Sequence, residues 1–247
     1  MRLALIAAAA FCTLASVGAY AAAPAVSSAL DDAARPAADK ARDAERKAAE
    51  VLAFSEVKPG DKVADIYPGG GYFTRLFAAS VGANGKVYMF VPAQVVDSRA
   101  KPVDSANAVK AGYQNVEVLV QKTAEFKPPE KLDIVFSSQF YHDMYSPTYG
   151  GAPIAAINKA VFDALKPGGL YVIVDHSAPD GSGLRDVGTT HRIDEAAAKK
   201  DLTAAGFQLV GESQMLRNPE DKRDINVFQP AIRGKTDQFV LKFRKPR

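Results

Sequence analysis

Between residues 61 and 212, short apolar runs alternate with longer stretches whose apolar residues recur at helical spacing. DKVADIY, at 61–67, is an apolar run bounded by turns and predicts a first strand. Residues 72–81 read as a helix that Gly82-Ala83-Asn84-Gly85 ends. KVYMFV (86–91) predicts a second strand, 102–111 a weaker helix, and 115–120 a third strand. LDIVFSS (132–138) predicts a fourth strand. PIAAINKAVFDAL reads as a helix closed by the turn Lys166-Pro167-Gly168-Gly169, and LYVIVD (170–175) as a fifth strand. IDEAAAKKDLTAA predicts a helix stopped by Gly206, with FQLVGES and TDQFVLKFRK as closing strands. Such alternation predicts βαβ units, hence a doubly wound α/β domain with a mostly parallel sheet and helices on both faces. The fourth and fifth strands are nearly all apolar, as strands buried on both faces are.

The pattern changes upstream. Residues 36–54 alternate apolar and charged residues at helical spacing and predict one helix beginning at Pro36. Residues 22–34, rich in Ala and Ser, predict a mobile leader before a domain at 35–247. The start, MRLALIAAAAFCTLASVGAYAAAPA, has one positive residue, Arg2, then an apolar run from Leu3 to Val17, then the cleavage pattern Ala19-Tyr20-Ala21. It reads as a secretory signal peptide at 1–21, its apolar run short of the roughly 20 residues a spanning helix needs. The expected location is therefore periplasmic or secreted, with no membrane attachment after cleavage. Composition sharpens this. Cys12 is the one cysteine and lies inside the signal, so a disulfide framework and a thiolate zinc site are excluded. The net charge of +3 is small, and only the tail FRKPR is locally basic, which predicts no nucleic-acid partner.

In such sheets ligands bind beyond the carboxyl ends of the strands, where strand order reverses. The segments that fall there are YPGGGYFT, QFYHDMY, DHSAPDGSG and TTHRID, and they hold all three histidines of the chain, His142, His176 and His191. The turn after the first strand carries Gly69, Gly70 and Gly71 behind Asp65. Glycines in a row allow a ligand to lie against the main chain. A dinucleotide loop is a poor match, because Thr74 stands where its third glycine belongs and the second strand ends without an acid. A phosphate-binding P-loop fails as well, since the turn ends Gly71-Tyr72-Phe73.

DIYPGGGYFT resembles motif I of the class I S-adenosylmethionine-dependent methyltransferases, with Tyr67 in place of the first glycine. LDIVFSSQFYHDM and LKPGGLYVIVD are similar to that family's fourth-strand and fifth-strand segments. YHDMY, VDHS, THRID, RNPED and TDQFVLKF together resemble a group of exported predicted methyltransferases. The resemblance implies a Rossmann-like seven-stranded sheet whose last strand is antiparallel. It also implies S-adenosylmethionine as cofactor, with Asp65 orienting the turn and Gly69, Gly70 and Gly71 against the amino-acid end. Tyr67 and Tyr72 would pack on the cofactor, Glu125 would lie near its adenine, and Gln139 near the transferable methyl. The family's ribose-binding acid is replaced by Val91, with Gln94 and Asp97 as nearby polar residues.

Methyl transfer is an in-line displacement that needs positioning, plus a base when the acceptor is a hydroxyl. His142 or His176 is the candidate base, Arg192 the candidate holder of an anionic group on a small-molecule substrate, and Tyr141, Asp143 and His191 complete the candidate catalytic set. Two other readings stand beside this one. An exported small-molecule or nucleoside-binding protein would keep the pocket without methyl transfer. A metal-dependent enzyme would use the imidazoles and carboxylates, although no H-x-x-x-H spacing supports it and no metal ligand is assigned.

Overall fold

The computed structural model describes residues 24–96 and 101–247. The predicted signal at 1–21, with Cys12, and Asp97 lie outside the described residues. The helices are α1 (Pro24–Asp31), α2 (Ala37–Lys40), α3 (Ala48–Phe54), α4 (Tyr72–Val81), α5 (Ala93–Val96), α6 (Lys101–Gly112), α7 (Ile154–Ala164) and α8 (Glu195–Ala204). The strands are β1 (Lys62–Ile66), β2 (Lys86–Pro92), β3 (Val116–Gln121), β4 (Leu132–Ser138), β5 (Leu165–His176), β6 (Gln208–Ser213) and β7 (Gln238–Arg244).

The seven strands form one sheet in the order β3-β2-β1-β4-β5-β7-β6. Pairings from β3 through β5 are parallel, and β7 runs antiparallel to both β5 and β6. This is the predicted doubly wound sheet with an antiparallel last strand. Successive side chains of a strand point to opposite faces, and the two cores follow from that. Val63, Val87, Met89 and Val91 face α1, α3, α4 and α6. Ala64, Ile66, Tyr88 and Phe90 face α7 and α8. Strand order reverses between β1 and β4, which opens a crevice at their carboxyl ends.

Three local expectations are corrected. The stretch expected as a mobile leader carries α1, whose Val26 and Ala29 are buried in the core. PAVSSALD places Val26, Ala29 and Leu30 at helical spacing, enough for one apolar face. The single helix expected over 36–54 is two short ones, because Lys47 takes left-handed backbone angles with φ of 50°. Residues in and around α2 are engaged elsewhere. Asp39 pairs with Arg75 of α4 at 2.7 Å, and Asp43 pairs with Arg35 at 2.5 Å and accepts from the Tyr72 hydroxyl at 2.6 Å. Residues 32–47 are thus a strap tied across α4. Finally, Lys166–Gly169 is a bulge inside β5 rather than a turn before it, since Leu132 pairs with Leu165 and Ile134 with Leu170.

Gly71 has φ of 77°, and a Cβ there would stand 2.5 Å from Val109 Cγ2 on α6. Gly69 has φ of 56° with nothing near its absent Cβ. Gly71→Ala combines backbone strain with overpacking and is expected to cost about 2–3 kcal/mol, a fall of about 4–10 °C in Tm for a chain of this size. Gly69→Ala carries strain alone, about 1 kcal/mol. Thermal melts of the two variants check the order; equal shifts would contradict it.

Candidate functional site

The β1–α4 turn sits at the reversal point. Asp65, at the end of β1, is buried and accepts from the Thr74 hydroxyl of α4 at 2.6 Å, which ties the two ends of the turn together. Burial raises the Asp65 carboxyl to about 6, against the opposing pull of Thr74 and Arg46. Gly69 and Gly70 are exposed with open space where a Cβ would be. Tyr67 takes φ of 51°, and its ring stacks on Phe140 at 4.5 Å with Tyr149 edge-on at 5.8 Å.

A cleft of about 420 Å³ opens at the ends of β4 and β5 and reaches Phe73 in the first turn of α4. Its floor is Ser138, Gln139 and Val174, from the ends of β4 and β5. Gln139, with φ of 58°, donates its amide to Val174 O at 2.7 Å and its side chain to Gln238 at 3.1 Å. The strap supplies Arg42 and Arg46 to one wall, and the 214–237 loop supplies Val227, Phe228 and Arg233 to the other. The Arg46 guanidinium lies over the rings of Tyr72 at 4.5 Å and Phe73 at 4.8 Å and approaches Ser138 Oγ at 3.4 Å. No carboxylate among the described residues is in ion-pair range of Arg46, so its charge faces the cleft. Neither the strap nor the loop was predicted to contribute. The signal for the loop was its length, since structureless connections longer than about 12–15 residues are uncommon outside functional regions.

The second feature is a cluster at the ends of β4 and β5. Asp175 is fully buried and accepts three hydrogen bonds: from the His142 amide at 2.7 Å, from His142 Nδ1 at 2.7 Å and from the His176 amide at 2.8 Å. His142 Nε2 points the other way, 3.4 Å from Asp143 Oδ1, and His191 Nδ1 lies 3.1 Å from that same oxygen. One donor atom each from His142, Asp143 and His191 fall within 4.8 Å of one another. Burial disfavours a charged His142 ring, but Asp175 and Asp143 outweigh it and hold the ring above its ordinary value. Burial likewise works to raise Asp175, and the His142 charge and hydrogen bonds hold it below the usual carboxylate range. Asp143 is pushed up by burial, opposed by both histidines. His176 is different. Burial drives it down to about 3, so it is neutral at pH 7, and Nδ1 meets Thr236 Oγ1 at 2.7 Å.

No family model matches the chain. It is 32% identical over 135 residues to the ubiquinone/menaquinone biosynthesis C-methyltransferase of Teredinibacter turnerae, covering 54% of this chain and 50% of that relative. It is 30% identical over 164 residues to protein-L-isoaspartate O-methyltransferase 1 of Arabidopsis thaliana, covering 63% and 62%. The chain thus spans half to somewhat under two thirds of the curated relatives' length. A solved S-adenosylmethionine-dependent methyltransferase of Aquifex aeolicus aligns with a TM-score of 0.55 at 20% identity, over 83% of this chain and 93% of that one. The chain has the fold of the class I S-adenosylmethionine-dependent methyltransferases.

Against the superfamily pattern, several candidate residues stand elsewhere than expected. Arg192 is fully buried, with a two-pronged pair to Asp221 at 2.8 and 3.1 Å and bonds to the carbonyls of Ser177 and Ile225. It pins the 214–237 loop and is spent, so it holds no substrate. Tyr141 is in the core, its hydroxyl accepting from Asn158 at 2.9 Å, and does not reach the cleft. Glu125 is exposed and pairs with Lys122 at 3.1 Å. Tyr72 supports Arg46 and the strap rather than the turn's open side. At the end of β2, Val91 is buried, and Gln94 donates its side-chain amide to Gly150 O at 2.8 Å, which leaves its buried Oε1 as an acceptor without a partner among the described residues.

Two outcomes follow. Removing one partner of a buried pair leaves an uncompensated charge, so Arg192→Met is expected to lower stability by about 3–5 kcal/mol, and Arg192→Met with Asp221→Asn, which removes the charge but keeps an acceptor for the Arg223 and Asp237 amides, to recover part of it. Urea titrations check this; an equally unstable double variant would refute it. For Asp65, the folded value of about 6 lies above the unfolded 3.8, so the fold gains from its protonation as pH falls through about 6 toward 4. Between pH 4.5 and 8, the stability of Asp65→Asn relative to the parent should therefore rise by about 2 kcal/mol. A constant difference would rule that out.

Proposed function

We propose that this protein binds S-adenosylmethionine at the β1–α4 turn and transfers its methyl group to a small molecule held in the adjoining cleft. The observation that carries the reading is the open pair Gly69–Gly70 at the point where strand order reverses, anchored below by Asp65 and Thr74. The turn fits the amino-acid end of the cofactor. Gly69 and Gly70 leave its backbone uncovered, and Arg46, without an ion-pair partner among the described residues, offers a positive charge for a carboxylate. The ribose end fits less well, because Val91 gives no hydrogen bond there, and a charge-assisted bond of that kind is worth about 1.5–3 kcal/mol. When bound, S-adenosylmethionine supplies an electrophilic methyl group on a sulfonium. The chain's part is positioning: Gln139 and Ser138 form the floor, and Arg233 on the far wall favours an acceptor that carries an anionic group. His176, locked neutral against Thr236, lines the same cleft and offers its free ring face to the acceptor.

A second reading, ligand binding without methyl transfer, is favoured by the Tyr67–Phe140–Tyr149 stack, which fills space beside the turn with the chain's own rings. On either reading we place the protein outside the cytoplasm on the strength of residues 1–21, acting on a small molecule and not on nucleic acid. No described helix is long and apolar enough to cross a membrane.

Calorimetric titration with S-adenosylmethionine and S-adenosylhomocysteine is expected to show one site, weaker by about one to two orders of magnitude than in relatives that keep the ribose-binding acid. Gly70→Asp, at a position with room for a side chain, should fold normally and abolish the heat. No heat from the parent protein at millimolar ligand would overturn the proposal; binding without turnover on any anionic acceptor would favour the second reading.

A further inference from the structure

The His142–Asp143–His191 cluster is not needed for binding at the glycine turn, and its geometry calls for an explanation of its own. The geometry points to a binding site for a divalent transition-metal ion of the zinc class, held by His142 Nε2, a carboxylate oxygen of Asp143 and a ring nitrogen of His191. The inference does not rest on the methyltransferase reading.

Distances come first. A tetrahedral ion with bonds of about 2.0–2.1 Å sets its ligand atoms about 3.4 Å apart. His142 Nε2 and Asp143 Oδ1 are 3.4 Å apart, and His191 Nδ1 and the same oxygen 3.1 Å. All three donors lie within 4.8 Å of each other, so closing the remaining edge needs a small rotation of the His191 ring, which is partly exposed.

Orientation comes second. A metal-binding histidine almost always gives its other ring nitrogen to a carboxylate or carbonyl, which fixes the tautomer and aims the free nitrogen. Asp175 does this for His142, and it takes the backbone amide of the same residue as well, so ring and main chain are locked together. With the proton on Nδ1, the Nε2 lone pair faces the Asp143 oxygen.

Placement comes third. His191 takes φ of 56°, an uncommon backbone for a non-glycine residue that surroundings must hold in place. Phe228 packs edge-on to its ring at 5.0 Å, and Phe228 and His176 both line the cleft. Two nitrogens and a carboxylate oxygen suit zinc and its first-row neighbours rather than magnesium or calcium. Three protein ligands leave at least one coordination position open, as in sites that bind a water or a substrate oxygen.

The test is a zinc titration of the purified, untagged protein after treatment with a chelator, read against a chromophoric competitor. One equivalent of Zn²⁺ is expected to bind with Kd of about 1 µM or tighter at pH 7.5. His191→Ala and Asp143→Ala, at positions that are not in the core, should each weaken binding at least about 100-fold. Asp175→Asn, which removes the charge and one accepting oxygen from the orienting group, should weaken it about 10–100-fold. Co²⁺ in place of zinc should give the visible ligand-field bands of a four- or five-coordinate site and lose them in His191→Ala. Circular dichroism of each variant separates lost ligands from lost fold. Substoichiometric zinc binding by the parent protein, or unchanged affinity in folded His191→Ala, would overturn the site and leave the cluster as an imidazolium–carboxylate network.

Discussion

The Asp175 carboxylate organises the working edge of this molecule. It is buried with no lysine or arginine among the described residues in hydrogen-bond contact, and it is satisfied by two main-chain amides and one imidazole. A buried carboxylate without such donors would cost several kcal/mol. Its bonds therefore dictate where the chain goes after β4. The segment after Gln139 must turn back toward β5 to bring the His142 amide within reach, and that turn sets Asp143 beside His191. One buried charge thus fixes the relation between two strand ends and a third loop.

Around that point the site is assembled from parts with different tolerances. The glycine turn is held from below by Asp65 and Thr74 and from the side by the close approach of Gly71 to Val109. The strap is held by ion pairs to α4, which deliver Arg46 onto two aromatic rings. The 214–237 loop is held by Arg192–Asp221 and by Asp237, which takes Arg217 and Arg223. Charged pairs, rather than apolar packing, position both walls of the cleft.

The sheet was legible in the sequence because its strands are buried on both faces and its turns are marked by glycine and proline. Its antiparallel end strand was legible only through the resemblance to a known family. The clustering of the three histidines at one sheet edge was also legible, since strand ends determine it. What periodicity does not carry is pairing. Arg192 looks like a free cation beside His191, but its partner Asp221 lies 29 residues on, in a loop with no pattern. The 36–54 stretch has helical spacing throughout, yet Lys47 breaks it because Asp39, Arg35 and Asp43 are pulled toward Arg75 and Tyr72. The 24–31 stretch is too short and too rich in alanine to signal burial, and α4 supplies the surface that makes it a helix. In each case a long-range contact overrides the local preference.

The buried Arg192–Asp221 pair has a consequence for how the cleft admits a guest. Asp221 also takes the amides of Arg223 and Asp237, so the loop that forms one wall is anchored at its middle and its end. Opening it would pull Asp221 away and leave the buried Arg192 guanidinium without its partner. The wall is therefore a rigid jamb and not a door. A molecule that fits the proposed site would thus be sorted by the size and charge of a shape that exists before it arrives.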